Sequence, residues 1–296
     1  MIWVDGQQQE VMPACDRGLA YGDGFFTTML VINGQLVNWL RHEQRLKEAS
    51  ERLKFPVLNW KSLQQMCQSA LASISQSEPA VIKIIVTRGC GGKGYQPLPS
   101  SEATPRILVQ TLPYPATDKT AVKIASKTVK NDQAWSFFCV KAQICQTLWS
   151  QNKQLAGLKH LNRLDNVLAR NELAEGMSEG IMLDAAGRVI SGTQSNIVLL
   201  KGKTLLTPNL DSCGIQGTFL ASLKNWAPTM GYDWQEVDFD LAFLNQVDEV
   251  FFCNAVRGIM SMESLEGQPW SIKQGQALHQ QIMTYLTNPT FEEKAQ

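Results

Sequence analysis

Two apolar runs near the start of the chain, F-F-T-T-M-L-V-I and Q-L-V-N-W-L, are separated only by Asn33 and Gly34. Asn-Gly is the dipeptide best suited to a tight hairpin turn, because both residues tolerate positive φ. The runs therefore predict an antiparallel strand pair. The opening residues repeat the pattern on a smaller scale, alternating apolar and polar side chains about an Asp5-Gly6 turn. From Arg41 to Lys54 the spacing becomes helical, with Leu46, Ala49 and Leu53 on one face. A second helix is expected over Trp60–Ile74. A-V-I-K-I-I-V-T-R and R-I-L-V-Q-T-L then read as strands.

The stretch Leu112–Thr120 carries Pro113 and Pro115 and no periodicity, as a linker does. It suggests a small N-terminal α+β domain at 1–113, a linker at 114–121 and a larger domain at 122–296, within reach of a chain of 296 residues. In the second part V-K-I-A-S reads as a strand, Leu161–Glu175 as a helix ended by Gly176, and two hairpins turn at Ala186-Gly187 and Gly202-Lys203. A helix from about Gly217 to Trp226 and a strand E-V-F-F-C-N follow, and the tail F-E-E-K-A-Q is expected to fray. Strands and helices mix in both halves without the regular alternation of a wound parallel sheet, so the class is α+β.

Charge and composition remove several functions. Lys plus Arg balances Asp plus Glu at 27 each, which leaves no bulk field for nucleic acid or an anionic membrane. No apolar run approaches the roughly 18 residues of a membrane span, and the N-terminus lacks the pattern of a signal peptide. The seven cysteines are scattered, with no C-x-x-C pair, and there are three histidines. This suits free thiols in a reducing cytoplasm better than a disulfide framework or a metal centre.

Gly89-Cys90-Gly91-Gly92-Lys93-Gly94 matches G-x-G-x-x-G after a strand. A dinucleotide fingerprint also needs a following helix, and Y-Q-P-L-P-S cannot begin one. The glycines instead suit a loop whose backbone approaches a small ligand. Lys159, in A-G-L-K-H-L-N-R-L, sits between Leu158 and Leu161. Most lysines are exposed, yet apolar flanks desolvate an amine, lower its pKa and make it nucleophilic.

D-R-G-L-A-Y-G-D-G-F-F-T-T, K-H-L-N-R-L-D-N, S-G-T-Q-S-N and G-I-Q-G-T occur in that order and together resemble the fold-type IV pyridoxal 5′-phosphate (PLP) enzymes. That group holds D-amino acid aminotransferases, branched-chain aminotransferases and aminodeoxychorismate lyases. D-G-F-F-T-T, R-G-x-G-G-K-G-Y and K-H-L-N-R-L are most similar to the lyases. The resemblance spans about Asp16 to Met262. It implies two α+β domains with PLP in the cleft between them, a homodimer, a small-molecule substrate, and conversion of 4-amino-4-deoxychorismate to 4-aminobenzoate and pyruvate. The alternatives are a D- or branched-chain amino acid aminotransferase on the same fold, or a PLP-binding protein without catalysis.

The resemblance also assigns residues. Lys159 would hold PLP as a Schiff base. Arg45, which unaided reads as a solvated helix residue, would grip the phosphate. Ile215 and Gln216, taken as the start of a helix after Gly214, and Asn254 with Ala255 would offer further phosphate contacts. Asn196 would stand beside the cofactor. Five residues before that asparagine the family carries a glutamate that bonds the pyridine nitrogen, whereas this chain has Ser191. Arg88, Lys93 and Tyr95 are the candidates for substrate carboxylates, with Arg106 a further one more suited to structure. Glu172 and Asp165 are expected to have no chemistry.

Overall fold

The computed structural model describes residues 1–75, 77–115, 121–123 and 136–287, with the backbone alone at 121–123 and 136. The chain divides into two compact units, Met1–Tyr114 with Leu158–Arg163, and Pro115–Gly157 with Leu164–Gln296. Residues 116–120 of the expected linker, 124–126 of the expected V-K-I-A-S strand and the tail from 288 lie outside the described residues.

The first unit holds β1 (Ile2–Val4), β2 (Gln7–Gln8), α1 (Arg17–Tyr21), β3 (Gly24–Ile32), β4 (Gln35–Leu36), α2 (Trp39–Arg52), α3 (Trp60–Leu71), β5 (Ala80–Thr87) and β6 (Arg106–Pro113). Its strands form one antiparallel sheet in the order β2-β1-β6-β5-β3-β4. Both sequence-predicted turns have the required geometry: φ is 50° and 83° at Asp5 and Gly6, and 50° and 71° at Asn33 and Gly34. Strand alternation sends Phe25, Met29 and Val31 of β3 and Ile82, Ile84 and Val86 of β5 to one face. There they pack with Leu46 and Ala49 of α2 and with Leu63, Cys67 and Ala70 of α3. Each large side chain buried this way contributes about 1.5–3 kcal/mol, more than helix propensity gives α2 or α3.

The second unit holds β7 (Ala121–Lys123), β8 (Ser136–Ile144), α4 (Leu164–Asn171), β9 (Glu179–Leu183), β10 (Val189–Gly192), β11 (Asn196–Lys201), β12 (Thr204–Thr207), α5 (Thr218–Trp226), β13 (Asp233–Glu236), β14 (Glu249–Asn254), β15 (Gly258–Leu265), β16 (Gln268–Pro269) and α6 (Gly275–Leu286). Its main sheet path runs β10-β9-β8-β15-β14-β11-β12-β13. Three pairs in it, β8–β9, β8–β15 and β12–β13, are parallel and the rest antiparallel. The fold is α+β, with β9–β10 and β11–β12 forming the expected hairpins. No helix among the described residues is long and apolar enough to cross a membrane.

Two expectations are corrected. The helix expected over Leu161–Glu175 spans only Leu164–Asn171. Its first residues are held elsewhere: the Leu161 amide donates to Gly24 O at 2.9 Å, and the Asn162 side chain donates to Gly22 O at 3.1 Å. These long-range bonds override the local periodicity. The cysteines are not all free: Cys15 and Cys90, 75 residues apart in sequence, form a disulfide with their Cα atoms 5.2 Å apart. The other five are buried thiols. A pair that far apart leaves no spacing signal, so scattered cysteines are no guide to a reducing compartment here.

Candidate active site

Lys159 owes its place to a strand-like addition to the first sheet. The Phe26 amide donates to Lys159 O at 2.9 Å, Phe25 and His160 form a bridge, and Leu161 bonds Gly24. Leu158 is buried in the core of that unit and anchors the segment from below. The amine of Lys159 then lies over the Phe26 ring, 4.6 Å from its centroid. Lys83, on β5 opposite Thr28, reaches the same ring at 5.3 Å. Burial pushes the Lys159 pKa down from 10.5 to about 7, and the positive charges of Arg45, Arg163 and Lys83 push it the same way. A substantial fraction of this amine is neutral at physiological pH, the state in which it is a nucleophile and a base.

Arg45 lies on α2, one turn from the buried His42. Burial lowers its own pKa to about 10, so it stays a cation at neutral pH. His42 Nδ1 is 2.6 Å from Thr27 Oγ1, and burial, with Arg45 and Lys159 adding, holds its pKa well below 6.5. His42 is therefore a neutral spacer beside the cations. Arg45, Arg163, Lys83 and Lys159 form a positive field that favours an anion. Lys83, Arg163 and His42 escaped sequence reasoning, since a strand lysine and a helix histidine carry no local sign of where they meet.

In the second unit a buried carboxylate shapes the turn before Asn196. Glu179 accepts from the Thr193 amide at 2.9 Å, the Ser195 hydroxyl at 2.7 Å and its neighbouring Gly180 amide at 3.0 Å, and also from the Thr193 hydroxyl. This fixes the start of β11. The Asn196 side-chain amide then donates to Ile215 O at 2.8 Å, tying that strand to the Ile215–Gln216 turn. Gly217 must be glycine here, because a Cβ would come within 2.0 Å of Asn196 Oδ1. The expectation of free amides at a helix start needs correction for Gln216. Helix α5 begins at Thr218, and the Gln216 amide donates to Gly157 O at 2.9 Å. Asn254 uses its side-chain oxygen on the amides of Val256 (3.0 Å) and Arg257 (2.8 Å), which folds the turn that contains Ala255.

Ser191 is buried, accepting from Trp149 Nε1 at 2.9 Å and donating to Gly192 O at 2.8 Å. Its hydroxyl proton is thus already used by the backbone. Glu179 does not substitute for a carboxylate at Ser191, since its oxygens are occupied by the 193–195 turn.

Arg88 has a structural occupation rather than a ligand-binding one. Its Nε donates to both Asp23 oxygens (2.8 and 3.0 Å), its terminal nitrogens donate to Leu53 O and Lys54 O (both 2.9 Å), and its plane covers Phe55. Each of its three nitrogens thus has a partner within the first unit. Arg106 pairs with Asp5 at 2.6 Å, while Glu172 and Asp165 accept from the backbone of 146–147 and 150. Lys93 and Tyr95 are exposed at the tip of the glycine loop, where Lys93 and Gln96 exchange backbone bonds at 2.9 and 3.0 Å.

Residues 24–265 match the amino-transferase class IV family. The chain belongs to it. Among curated members it is 31% identical to the aminodeoxychorismate lyase of Vibrio harveyi over 266 residues, 90% of this chain and 91% of that one. Among solved structures it is similar to the 4-amino-4-deoxychorismate lyase of Pseudomonas aeruginosa, with a TM-score of 0.82 and 35% identity over 98% of this chain and 100% of that one. A hypothetical aminotransferase from Mycobacterium tuberculosis in its PLP-bound form shares the fold at 19% identity, with a TM-score of 0.79 over 97% of this chain and 99% of that one. The cation cluster around Lys159 fits PLP by its own chemistry. An aldehyde bearing a phosphate needs a neutral amine and a cation that stays charged beside it, and Lys159 and Arg45 offer groups of those two kinds.

Proposed function

We propose that this protein is a PLP-dependent lyase that converts 4-amino-4-deoxychorismate to 4-aminobenzoate and pyruvate. The observation that carries the reading is the Lys159 amine, brought to a pKa of about 7 within a cluster of cations. The likeness to lyases over nearly the whole chain supports this reaction over transamination.

In this reading Lys159 would hold the cofactor and Arg45 its phosphate, with Ile215, Asn254 and Ala255 as further phosphate contacts. Asn196 and Ser191 would be further contacts of the cofactor. PLP, when bound, supplies the electron sink. Lys159 moves the proton: its neutral amine takes it from the ring carbon bearing the substrate nitrogen and delivers it to the departing enolpyruvate. The remaining ring becomes aromatic, so no redox partner is needed. Lys93 and Tyr95 offer an ammonium and a phenol to the substrate carboxylates.

A homodimer belongs to this reading. Leu164, Val167 and Leu168 lie exposed at i, i+3 and i+4 on α4, an apolar stripe suited to a second copy. A cytoplasmic location belongs to this reading as well.

Product analysis tests the reaction. Incubation of the PLP-loaded protein with 4-amino-4-deoxychorismate is expected to yield 4-aminobenzoate and pyruvate in equal amounts. Faster amino transfer from D-alanine to 2-oxoglutarate would make the protein an aminotransferase instead. Inactivity in both assays would leave only cofactor binding.

A further inference from the structure

Asp23 accepts from two buried arginines, Arg17 Nε at 2.8 Å and Arg88 Nε at 2.8 Å. Arg88 spends its other donors on the end of α2, as described above. Arg17 spends its own on the glycine loop. One terminal nitrogen donates to Gly94 O at 2.8 Å and to Gly91 O at 3.4 Å, and the other donates to Tyr95 O at 2.9 Å. The guanidinium also lies over the Tyr21 ring at 4.9 Å, and Tyr21 packs against the Tyr95 ring at 5.4 Å. At the base of the loop the Arg17 amide donates to Gly89 O at 2.9 Å, and the Cys15–Cys90 disulfide spans the same two segments.

Three carbonyl oxygens converging on one point repel each other unless a cation with directed donors stands between them. The loop backbone reaches that arrangement only through glycine: φ is positive at Gly91, Gly92 and Gly94, and a Cβ on Gly92 would come within 2.2 Å of Gln96 O. Arg17 gathers the carbonyls of that curl, which the Lys93–Gln96 backbone pair also closes. Lys93 and Tyr95 ride on that curl, exposed, with the Tyr95 ring directed by its contact with Tyr21.

We infer that Arg17 is a positioning residue for substrate recognition, holding the 91–95 loop so that Lys93 and Tyr95 face a substrate carboxylate. The inference rests on the proposed role of Lys93 and Tyr95 as substrate contacts. It concerns binding and not the proton step, because Arg17 is tied to loop carbonyls and does not itself reach the reacting atoms. A lysine at 17 restores the charge but not the fork, since one ammonium lacks the planar geometry that meets a carboxylate and three carbonyls together.

The test uses the PLP-loaded parent protein and the variants Arg17→Gln, Arg17→Lys, Lys93→Ala and Tyr95→Ala. Steady-state kinetics with 4-amino-4-deoxychorismate are measured beside calorimetric binding of chorismate, which carries both carboxylates but no amine. Amide exchange of residues 91–95 and the absorbance of the bound cofactor are followed in parallel. In Arg17→Gln, KM and the chorismate Kd should rise about 10- to 100-fold, the scale of a misplacement near 1 Å. Its kcat should change less than about threefold, because a contact made equally in the ground and transition states moves KM alone. Cofactor absorbance should be unchanged, loop exchange faster, and Arg17→Lys intermediate in KM, chorismate Kd and loop exchange. Parental KM and chorismate affinity in Arg17→Gln, with Lys93→Ala or Tyr95→Ala weakened, would overturn the role of Arg17 alone. Parental affinity in both loop variants would remove the substrate contacts and the inference with them. The chorismate measurement decides even if the parent shows no turnover, and Arg17→Lys decides if Arg17→Gln does not fold.

Discussion

The Lys159 amine lies 4.6 Å from the centroid of the Phe26 ring. That ring replaces water on one side of the amine, while Arg45, Arg163 and Lys83 oppose its charge, with burial the larger cause of its pKa near 7. The sign follows directly. A lowered lysine pKa means the ammonium loses its proton as pH rises through about 7, and only the free amine attacks an aldehyde. Capture of PLP by the cofactor-free protein should therefore speed up with pH and level off above about 7, instead of rising toward 10.5. Lys83→Met removes one of the smaller opposing charges and should move the midpoint upward. Stopped-flow absorbance across pH measures both. A rate still climbing at pH 9 would mean that Lys159 is an ordinary solvated lysine.

Arg45→Ala should weaken PLP retention by roughly 10- to 150-fold, the value of a charge-assisted contact of about 1.5–3 kcal/mol. Turnover at saturating PLP should suffer less. Because Arg45 also holds the Lys159 pKa down, the same variant should shift the capture midpoint upward. Equilibrium dialysis gives the affinity, and an unchanged value would remove Arg45 from the phosphate site.

Much of the fold was legible, and the failures have a common cause. Asn33-Gly34, Asp5-Gly6 and the two later hairpins were readable because the turn chemistry lies within neighbouring residues. The burial of Lys159 was readable from its apolar flanks. Arg88 was misread as a substrate contact because its partner Asp23 lies 65 residues away. Arg17 was read only as part of D-R-G, since the loop carbonyls that it holds are more than 70 residues distant. The Cys15–Cys90 pair and the loss of Leu161–Arg163 from α4 are further cases in which tertiary partners overrule local pattern.

Ser191 has no charge to offer a pyridine nitrogen, and its hydroxyl is engaged by Trp149 and Gly192. A carboxylate there would favour the protonated ring and a stronger electron sink. Transamination depends on that sink more than an elimination helped by aromatisation. Ser191→Glu should therefore raise D-alanine transamination relative to lyase turnover by roughly tenfold, or about 1.4 kcal/mol of barrier. The larger side chain in a buried site should also lower stability by about 1–3 kcal/mol. Paired assays and a thermal melt on parent and variant test both parts. A parent that transaminates as fast as it makes 4-aminobenzoate, or a variant with no relative gain, contradicts the argument.

Borohydride reduction of the PLP-loaded protein, followed by peptide mass mapping, addresses the role of Lys159 directly. Reduction makes the lysine–cofactor bond permanent and leaves a phosphopyridoxyl mass on whichever lysine held it. The mass should appear on the peptide containing Lys159 and vanish in Lys159→Ala, together with the cofactor absorbance and nearly all turnover. A label on Lys83 or any other lysine, or an Lys159→Ala variant that keeps its absorbance, would contradict the account.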